Sequence, residues 1–388
     1  MTSARPRVMV VVTAAITARL FMRGYAEFLA ESGYDVTLVA DDVSEFENVL
    51  AEQGVAARSL AMRRDPSPLH DLRSLWRMFL LMRRLRPDAV IYATPKASML
   101  ASVVARMLRV PVRVYELWGI RFETATGAAR KMFQGIERLI ASSSTTIIAN
   151  SASLAQQAVA LGITTPGRIM VPGSGSSHGV DSVRFSPDAP RPDLDEDTAR
   201  FLEENPGLTL GYVGRLHPDK GVDVLLDAAE QLRALGIEVR VLLVGGDEGT
   251  QLPRHESLPV HRTGEVADVR PYLAAFDMLV LMSLREGFPN VVLEAAAMQV
   301  PAIVSDATGC VDSVEDGVTG VVVPVGDVDR LVDAAYPLHD AERRLRMGRA
   351  ARARVVAEFE PRQVWSALEG HVSMLLRGAR SDSKAEDR

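Results

Sequence analysis

Two glutamates flank a predicted helix start in the segment Arg285–Glu294. Glu286 and Glu294 stand eight positions apart, and Pro289 lies between them at the first helical position that proline tolerates. The apolar run Met278–Met282 leads in as a strand. Carboxylate oxygens accept hydrogen bonds strongly from hydroxyl groups, so both glutamates could hold one polyhydroxy ligand. An ordinary turn with two solvated glutamates is the alternative.

The same helix start offers backbone donors. We expect the amides of Asn290, Val291 and Val292 to face outward, since the first amides of a helix have no partner within it. Together with the positive end of the helix dipole, they would suit an anion or a sugar oxygen.

An earlier segment supplies cations. Leu208–Gly214 is predicted as a buried strand, and the amphipathic pattern Val222–Leu235 as a helix. The loop between them carries Arg215 and Lys220 beside Gly214 and Gly221. A planar guanidinium fork and a mobile ammonium group are suited to a diphosphate. The alternative is a solvated basic turn.

Composition limits the possible classes of protein. The chain has 388 residues, 47% hydrophobic and 24% charged, and a single cysteine, which fits a reducing compartment. Its net charge of −6 is uneven: residues 1–190 carry 22 Arg and Lys against 16 Asp and Glu. The basic half favours an anionic partner, but no interleaved basic and aromatic pattern indicates nucleic acid. No run reaches the ~18 apolar residues of a membrane-spanning helix.

Strand and helix patterns alternate along the chain, which predicts α/β architecture with two doubly wound parallel sheets. We expect one domain over residues 1–187 and another over 188–360. A terminal helix over 361–377 follows, and the polar tail 378–388 is predicted to be disordered.

Five ordered motifs resemble glycosyltransferase family 4, which comprises retaining, nucleotide-sugar-dependent enzymes of the GT-B fold. The motifs are Val213-Gly214-Arg215 with Lys220-Gly221; Glu286-Gly287-Phe288-Pro289 with Glu294; Gly179-Val180-Asp181 with Arg184-Phe185; Ile303–Asp306 with Gly309–Asp312; and Asp316–Gly320. The resemblance implies two α/β domains facing a cleft, with the donor on the second domain and the acceptor on the first. It also implies that the terminal helix packs on the first domain.

The resemblance assigns roles to the motif residues. Arg215, Lys220 and Glu286 would form the catalytic group: the two cations would hold the diphosphate in place of a metal, and Glu286 would position the sugar. Glu294 would hold the ribose hydroxyls, and the backbone at Val266 would contact the edge of the nucleobase. The expected donor-binding set is Gly214, Arg215, Lys220, Val266, Glu286, Gly287, Phe288, Pro289, Asn290, Val291 and Glu294. No cofactor and no metal ion is expected.

The first domain departs from the family in two places. Its first strand is followed by Thr13–Thr17 instead of a glycine-rich turn, and Trp118 stands where many relatives carry a histidine. The indole could stack on a sugar or lie in the core. Glu116 could position the acceptor, or pair with Arg113 or Arg121 as a structural ion pair.

Lys96 follows a predicted strand and opens a predicted helix in the basic domain. An ammonium group at a helix start suits a phosphate, so Lys96, Trp118 and Glu116 are the candidate acceptor-binding residues. A solvated lysine is an equal alternative.

Arginines surround apolar residues in the predicted helix Leu69–Leu85. Arg73, Arg77, Arg83, Arg84 and Arg86 accompany Leu72, Phe79, Leu80 and an exposed-looking Trp76. This composition predicts either peripheral attachment to an anionic membrane or a solvated basic face.

These patterns together predict a retaining, metal-independent hexosyltransferase-type enzyme with a nucleotide-sugar donor, a UDP-sugar being favoured. The favoured acceptor is a lipid-linked saccharide, such as one on undecaprenyl diphosphate, in the biosynthesis of bacterial surface glycans. The expected location is cytoplasmic, with the inner membrane face as a possible site of attachment. A soluble small-molecule acceptor, a GT-B epimerase and a non-catalytic nucleotide-sugar-binding protein are the alternatives.

Overall fold

The computed structural model describes residues 5–62, 67–247, 249, 252–253 and 257–386, with backbone alone for residues 68 and 382–386. The chain forms two compact units. The first unit combines Met1–His178 with Arg362–Arg388, and the second is Gly179–Pro361. Within the described part of the chain, no helix is both long and apolar enough to cross a membrane.

Seven parallel strands form the sheet of the first unit, in the order β3-β2-β1-β4-β5-β6-β7. All four residues of β4 are buried, because helices cover both faces of the sheet. The strands are β1 (Arg7–Val11), β2 (Asp35–Ala40), β3 (Val55–Ser59), β4 (Ala89–Tyr92), β5 (Val112–Leu117), β6 (Thr146–Ala149) and β7 (Ile169–Met170).

The helices of the first unit form a layer on each face. They are α1 (Ala15–Thr17), α2 (Arg23–Glu31), α3 (Glu47–Glu52), α4 (Pro68–Leu85), α5 (Pro95–Met107), α6 (Gly127–Ser143), α7 (Ala152–Ala160) and α14 (Pro361–Glu386), with a π-helix at Ala18–Met22 and 3₁₀ turns at Ser44–Phe46 and Pro166–Arg168. One core contains buried residues of α2, α3 and α14, and a separate core contains those of α4 to α7.

The terminal helix α14 packs within the first unit. Val364, Leu368 and Val372 are buried in the core beside α2, and the Tyr34 hydroxyl donates to Glu369 at 2.6 Å. The helix extends to Glu386, so the predicted end at residue 377 and the predicted disorder of 378–386 differ from the structure. Gly378 does not stop the helix, since the following Ala, Arg, Lys and Glu residues favour helical backbone. Residues 387–388 lie outside the described part.

Six parallel strands form the sheet of the second unit, in the order β10-β9-β8-β11-β12-β13. The strands are β8 (Leu208–Val213), β9 (Val239–Val244), β10 (Val260–Arg262), β11 (Met278–Leu281), β12 (Ala302–Ser305) and β13 (Gly320–Val323). Its helices are α8 (Glu196–Glu204), α9 (Val222–Ala234), α10 (Arg270–Ala274), α11 (Asn290–Ala297), α12 (Val328–Ala335) and α13 (Ala341–Glu358), with 3₁₀ turns at Pro218–Lys220 and Tyr336–His339.

The strand order reverses at the same point in both sheets, between β1 and β4 and between β8 and β11. In open parallel sheets, ligands bind beyond the carboxyl ends of the strands at such a reversal. The two candidate ligand-binding regions are therefore the loops after β1 and β4 in the first unit and the loops after β8 and β11 in the second unit.

Two further differences from the sequence-based prediction concern local order. The units divide at residues 178 and 179, earlier than the predicted boundary after 187, because the chain from Gly179 already packs in the second unit: the amide of Val180 donates to Phe359 O at 2.8 Å. Strand β3 was not predicted. Its last two residues are exposed, which weakens the apolar pattern in the sequence. The strand forms because it pairs with β2, a contact that the local pattern does not show.

Candidate functional site

An ion pair joins two loops at the carboxyl edge of the second sheet. Lys220 lies in the loop after β8 and Glu286 in the loop after β11, and Lys220 Nζ lies 2.5 Å from Glu286 Oε1. The Ser283 hydroxyl donates to the same oxygen at 2.8 Å. The two charged side chains are only 21% and 18% exposed, so their field is screened less than that of a surface pair. The structure therefore brings together two of the predicted catalytic residues.

The loop that carries Lys220 requires glycine at its end. Gly221 has a φ of +62°, and a Cβ there would overlap the backbone carbonyl of Met282. His217 begins the 3₁₀ turn by accepting a hydrogen bond at Nδ1 from the Asp219 amide. These contacts fix the point from which the Lys220 side chain extends.

Arg215 joins this group through Tyr212, a residue that the sequence analysis did not single out. The Tyr212 hydroxyl donates to the Arg215 carbonyl at 2.7 Å. Burial raises the pKa of Tyr212; nearby Glu286 raises it further and Arg215 lowers it. Arg215 and Glu286 therefore both act electrostatically on one hydroxyl, and the Arg215 side chain is exposed at this edge.

Backbone contacts lock the Glu286 loop against the loop after β12. The Glu286 amide donates to Thr308 O at 2.9 Å, and Ser305 Oγ donates to Ser283 O at 2.6 Å. Gly309 has a φ of +79°, and a Cβ there would overlap the carbonyl of Gly287. The carboxylate is thus held on a rigid support.

The predicted donor-binding residues after Glu286 have unequal surroundings. Gly287, Phe288 and Pro289 are buried, and the Phe288 ring lies 5.6 Å from that of Phe359 in the core. Asn290 and Val291 are half-buried. The Phe288 side chain therefore anchors the loop in the core. Because that side chain faces the core, this part of the loop can contact a ligand only through its backbone atoms.

The start of α11 differs from the prediction in two respects. Pro289 is the N-cap residue with extended backbone (φ −80°, ψ 94°), and the helix begins at Asn290. The Val292 amide donates to the Pro289 carbonyl at 3.0 Å, so it is not an outward-facing free donor as predicted. The extended ψ of Pro289 tightens the first turn and directs its carbonyl to this amide.

Glu294 lies one turn into α11 and is half-buried. Burial raises the pKa of its carboxyl to about 7, with Arg184 lowering it and Asp268 raising it. The charged neighbours that act on Glu294 are thus Arg184 and Asp268. Glu294 lies on the helix that follows the Glu286 loop, but it has its own electrostatic surroundings.

The loop after β10 reaches the same edge of the sheet. Gly245 donates its amide to the Gly264 carbonyl at 2.9 Å, which joins the ends of β9 and β10. Val266 follows and is half-buried against the core of this unit. Its loop therefore borders the carboxyl edge on the side away from Glu286.

In the first unit, two threonines close the point where the strand order reverses. Thr13 donates its amide to Thr94 Oγ1 at 2.9 Å, the two hydroxyls lie 2.8 Å apart, and the Ala97 amide donates to Thr13 Oγ1. Side-chain hydroxyls here accept hydrogen bonds from backbone amides. A glycine-rich loop would leave such amides available for a ligand.

Lys96 is neither an open phosphate ligand nor a solvated lysine. Its Nζ lies 2.6 and 2.7 Å from the two carboxylate oxygens of Asp71, and the side chain is 10% exposed. The pair joins the starts of α4 and α5. A phosphate bound there would have to share the ammonium group with Asp71.

Glu116 and Trp118 form a pair at the end of β5. Trp118 Nε1 donates to Glu116 Oε2 at 3.2 Å, and the predicted alternative of an ion pair with Arg113 is wrong, since that guanidinium donates to the carbonyls of Val110 and Ser143. Glu116 is 3% exposed, its Oε1 has no hydrogen-bond partner among the described residues, and burial raises its pKa to about 7. The half-exposed indole also packs 6.0 Å from the ring of Phe21 in the π-helix.

Four residues that support the site had no predicted role: Tyr212, Ser283, Arg184 and Asp268. Tyr212 and Ser283 each act on a residue three positions away, whereas Arg184 and Asp268 act on Glu294 from distant segments. The only local signal was the polar Ser283 directly after a buried strand.

Both halves of the chain match known families. Residues 17–173 match the "Glycosyl transferase 4-like domain" and residues 207–340 match "Glycosyl transferases group 1".

Relatives match over most of the chain. The "Capsular polysaccharide biosynthesis glycosyltransferase CapM" of Staphylococcus aureus is 31% identical over 92% of this chain and 94% of that protein. A "GDP-mannose-dependent alpha-mannosyltransferase" of Mycobacterium tuberculosis is 31% identical over 92% and 93%. The "UDP-Gal:alpha-D-GlcNAc-diphosphoundecaprenol alpha-1,3-galactosyltransferase" of Escherichia coli is 24% identical over 86% and 87%.

A solved structure shares the architecture. Anabaena Alr3699/HepE, crystallised with UDP-glucose, superposes with a TM-score of 0.74 at 19% identity, covering 95% of this chain and 99% of that one. Two parallel-sheet α/β units with this neighbour show the GT-B fold. The chain belongs to glycosyltransferase family 4, as its motifs predicted.

Proposed function

We propose that this protein is a retaining glycosyltransferase that transfers a sugar from a nucleotide sugar to a hydroxyl of a lipid-linked saccharide in bacterial surface-glycan biosynthesis. The observation that carries the proposal is the Lys220–Glu286 pair beside Arg215 at the carboxyl edge of the second sheet. A cation and a carboxylate fixed together can hold the two chemically different halves of a diphospho-sugar.

Lys220 and Glu286 can each serve two partners. An ammonium group has three donors, so Lys220 can hold Glu286 and a phosphate oxygen together. Within the described residues, the hydrogen bonds to the Glu286 side chain both reach Oε1, which leaves Oε2 for a sugar hydroxyl. Arg215, exposed at the same edge, adds a planar fork for the diphosphate.

Charge stabilisation is the main chemical contribution of these residues. As the C1–O bond to the diphosphate breaks, its electron pair moves to the leaving phosphate, where Arg215 and Lys220 stabilise it. Fixed charges of this kind lower a barrier by about 3–4 kcal/mol. The acceptor oxygen bonds to C1 on the same face, with retention, and its proton passes to the departing phosphate. Under this proposal the two cations make a divalent metal unnecessary.

Glu294 is proposed to bind the ribose. Its place one turn into α11 and its raised pKa describe a carboxyl that can accept from hydroxyls when ionised. The backbone of Gly287 to Val291 would contact the sugar, and that of Val266 the base.

A UDP-sugar is the proposed donor. The E. coli relative is named for UDP-Gal and the neighbouring structure contains UDP-glucose, while the mycobacterial relative is named for GDP-mannose. The test must therefore include both nucleotides.

The proposed acceptor is a saccharide on a lipid diphosphate such as undecaprenyl diphosphate, as in the name of the E. coli relative. In the first unit, the half-exposed Trp118 indole offers a face for a sugar, and Glu116 holds its orientation. Enzyme and acceptor would meet on the cytoplasmic face of the membrane.

The experiment is to incubate the protein with UDP- and GDP-sugars and a synthetic undecaprenyl-diphosphate saccharide, with and without EDTA, and to analyse products by mass spectrometry and NMR. We expect transfer from one UDP-sugar with the α-configuration kept, unchanged by EDTA. Transfer only to soluble acceptors, epimerisation of the donor, or binding without reaction would each overturn the proposed acceptor or the proposed reaction.

A further inference from the structure

The outer helix layer formed by α4, α5 and α6 carries positive charge almost without opposition. α5 packs between α4 and α6, and the buried residues of all three lie in one core. Their sequences contain nine Arg and Lys residues against two acids. One acid, Asp71, is held by Lys96, and the other, Glu137, is buried and accepts from the Tyr115 hydroxyl at 2.7 Å. The charge that this layer presents to solvent is therefore cationic.

Large apolar side chains share the exposed face of α4 with these cations. Leu69, Leu72, Trp76 and Leu80 are 78%, 65%, 61% and 47% exposed. Their spacing places them on one face, opposite the buried Ser74, Met78 and Met82. A soluble helix in contact only with water gains nothing from exposing four such residues together.

Arginines border this apolar stripe along the whole helix. Arg73, Arg77, Arg83 and Arg84 are exposed, and in the described part of the chain none of the four has a carboxylate partner. Aromatic and leucine side chains flanked by arginine suit the interface of a bilayer with anionic headgroups.

The location of the stripe connects it to the acceptor edge. The Asp71–Lys96 pair fixes the start of α4 beside the start of α5, which follows β4 at the carboxyl edge of the sheet. Leu69 and Leu72 therefore lie at the amino-terminal end of α4, which is next to this edge of the sheet. Met132, 51% exposed, lies near the start of α6, which follows β5 at the same edge.

We propose that the exposed face of α4, with the cations of α5 and α6, docks on an anionic phospholipid bilayer and places the acceptor edge of the first unit at the membrane surface. This proposal rests on the proposed lipid-linked acceptor, because such a substrate can reach the protein only from the bilayer. The four leucine and tryptophan side chains enter the interface, and the arginines bind headgroup phosphates.

The test is flotation of the full-length protein with vesicles of phosphatidylcholine alone or mixed with phosphatidylglycerol. We expect binding to the anionic vesicles only, weakened by salt. Each arginine near such a surface changes partitioning by about fivefold, so R73Q/R77Q/R83Q/R84Q should lose roughly a hundredfold or more. L72S/W76S should also bind weakly, and brominated lipid should quench the fluorescence of the wild type but not of this variant.

A matched control is available on α13, which has the same length as α4 and exposes Arg343, Arg346 and Arg349. R343Q/R346Q/R349Q should float like the wild type. Wild-type binding as weak to anionic as to neutral vesicles, unimpaired binding of the α4 variants, or an equal loss in the α13 variant would each overturn the proposal. Thermal unfolding checks that all variants fold.

Failure of the surface and failure of the proposed function are separable. Vesicle binding needs neither donor nor acceptor. Transfer to the undecaprenyl-linked saccharide in detergent, without vesicle binding, would overturn only the docking surface; vesicle binding without transfer would overturn only the acceptor. On an acceptor with a short water-soluble chain, the α4 variants should turn over like the wild type.

Discussion

In the second unit, the loops after β8, β11 and β12 meet through close backbone contacts, which glycines allow, and through the Lys220–Glu286 pair. In the first unit, side-chain hydroxyl and carboxyl groups fill the equivalent edge of the sheet. Both sheets have the same strand order around the reversal point. Both edges also contain a lysine paired with a carboxylate at about 2.5–2.7 Å. The comparison shows that one strand order supports two differently built edges, because the loop residues alone decide which groups fill each edge.

The two lysines give the sharpest way to break this comparison. Under the proposed function, Lys220→Ala should lower kcat/KM for the donor by roughly a thousandfold, since it removes a fixed charge beside the leaving diphosphate. Lys96→Ala should leave the affinity for the donor unchanged. Steady-state kinetics and calorimetric titration with UDP-sugar measure both effects. Equal losses in the two variants would show that neither lysine is specific to the donor.

The glycines provide a second contrast. Gly221 and Gly127 have nearly equal φ values of +62° and +60°, but only at Gly221 would a Cβ overlap backbone. Gly221→Ala should therefore lower the free energy of unfolding by about 4 kcal/mol, from strain and overlap together. Gly127→Ala should cost only the strain, about 1–2 kcal/mol. Chemical denaturation measures both, and similar values would contradict the close packing of the second edge.

Glu116 provides a pH-dependent test in the first unit. Burial raises the pKa of its carboxyl from 4.5 to about 7, so the folded state holds the proton more tightly than the unfolded state. Its contribution to stability is complete below pH 4.5 and is lost as pH rises through 7, a change on the order of 3 kcal/mol.

Glu116→Gln removes this titration and keeps an oxygen for the Trp118 N–H. Unfolding free energies of variant and wild type, measured from pH 4 to pH 8, should therefore diverge in favour of the variant as pH rises. Parallel curves would mean that the carboxyl is not buried in solution.

Glu294 provides the matching test in the second unit, with a smaller effect. Burial raises the pKa of Glu294 to about 7, so lowering the pH converts the carboxylate to the neutral acid. The KM for the donor should rise roughly tenfold between pH 8 and pH 6, if ionised Glu294 accepts from the ribose. Glu294→Gln should have a high KM that varies little with pH. A wild-type KM that is flat over this range would remove the ribose role.

Particular residues show how far prediction from sequence reached. The strand patterns around Arg215 and Glu286 were regular enough to place both residues in loops at strand ends. The start of α11 was predicted one residue early, because the ψ of Pro289 depends on its packed surroundings. The Asp71–Lys96 pair could not be predicted, since its members are 25 positions apart and meet only through helix packing.

By itself the sequence determined the family, the alternation of strands and helices, and the residue types available at each loop. These properties depend on local periodicity and on motif order, which the chain carries directly. The tertiary structure alone decided which charges meet. It joined Lys220 to Glu286, withdrew Lys96 into a pair with Asp71, and buried the Glu116 carboxyl beside Trp118. The physical reason is that ion pairing, desolvation and the resulting pKa shifts arise from distances between segments remote in sequence.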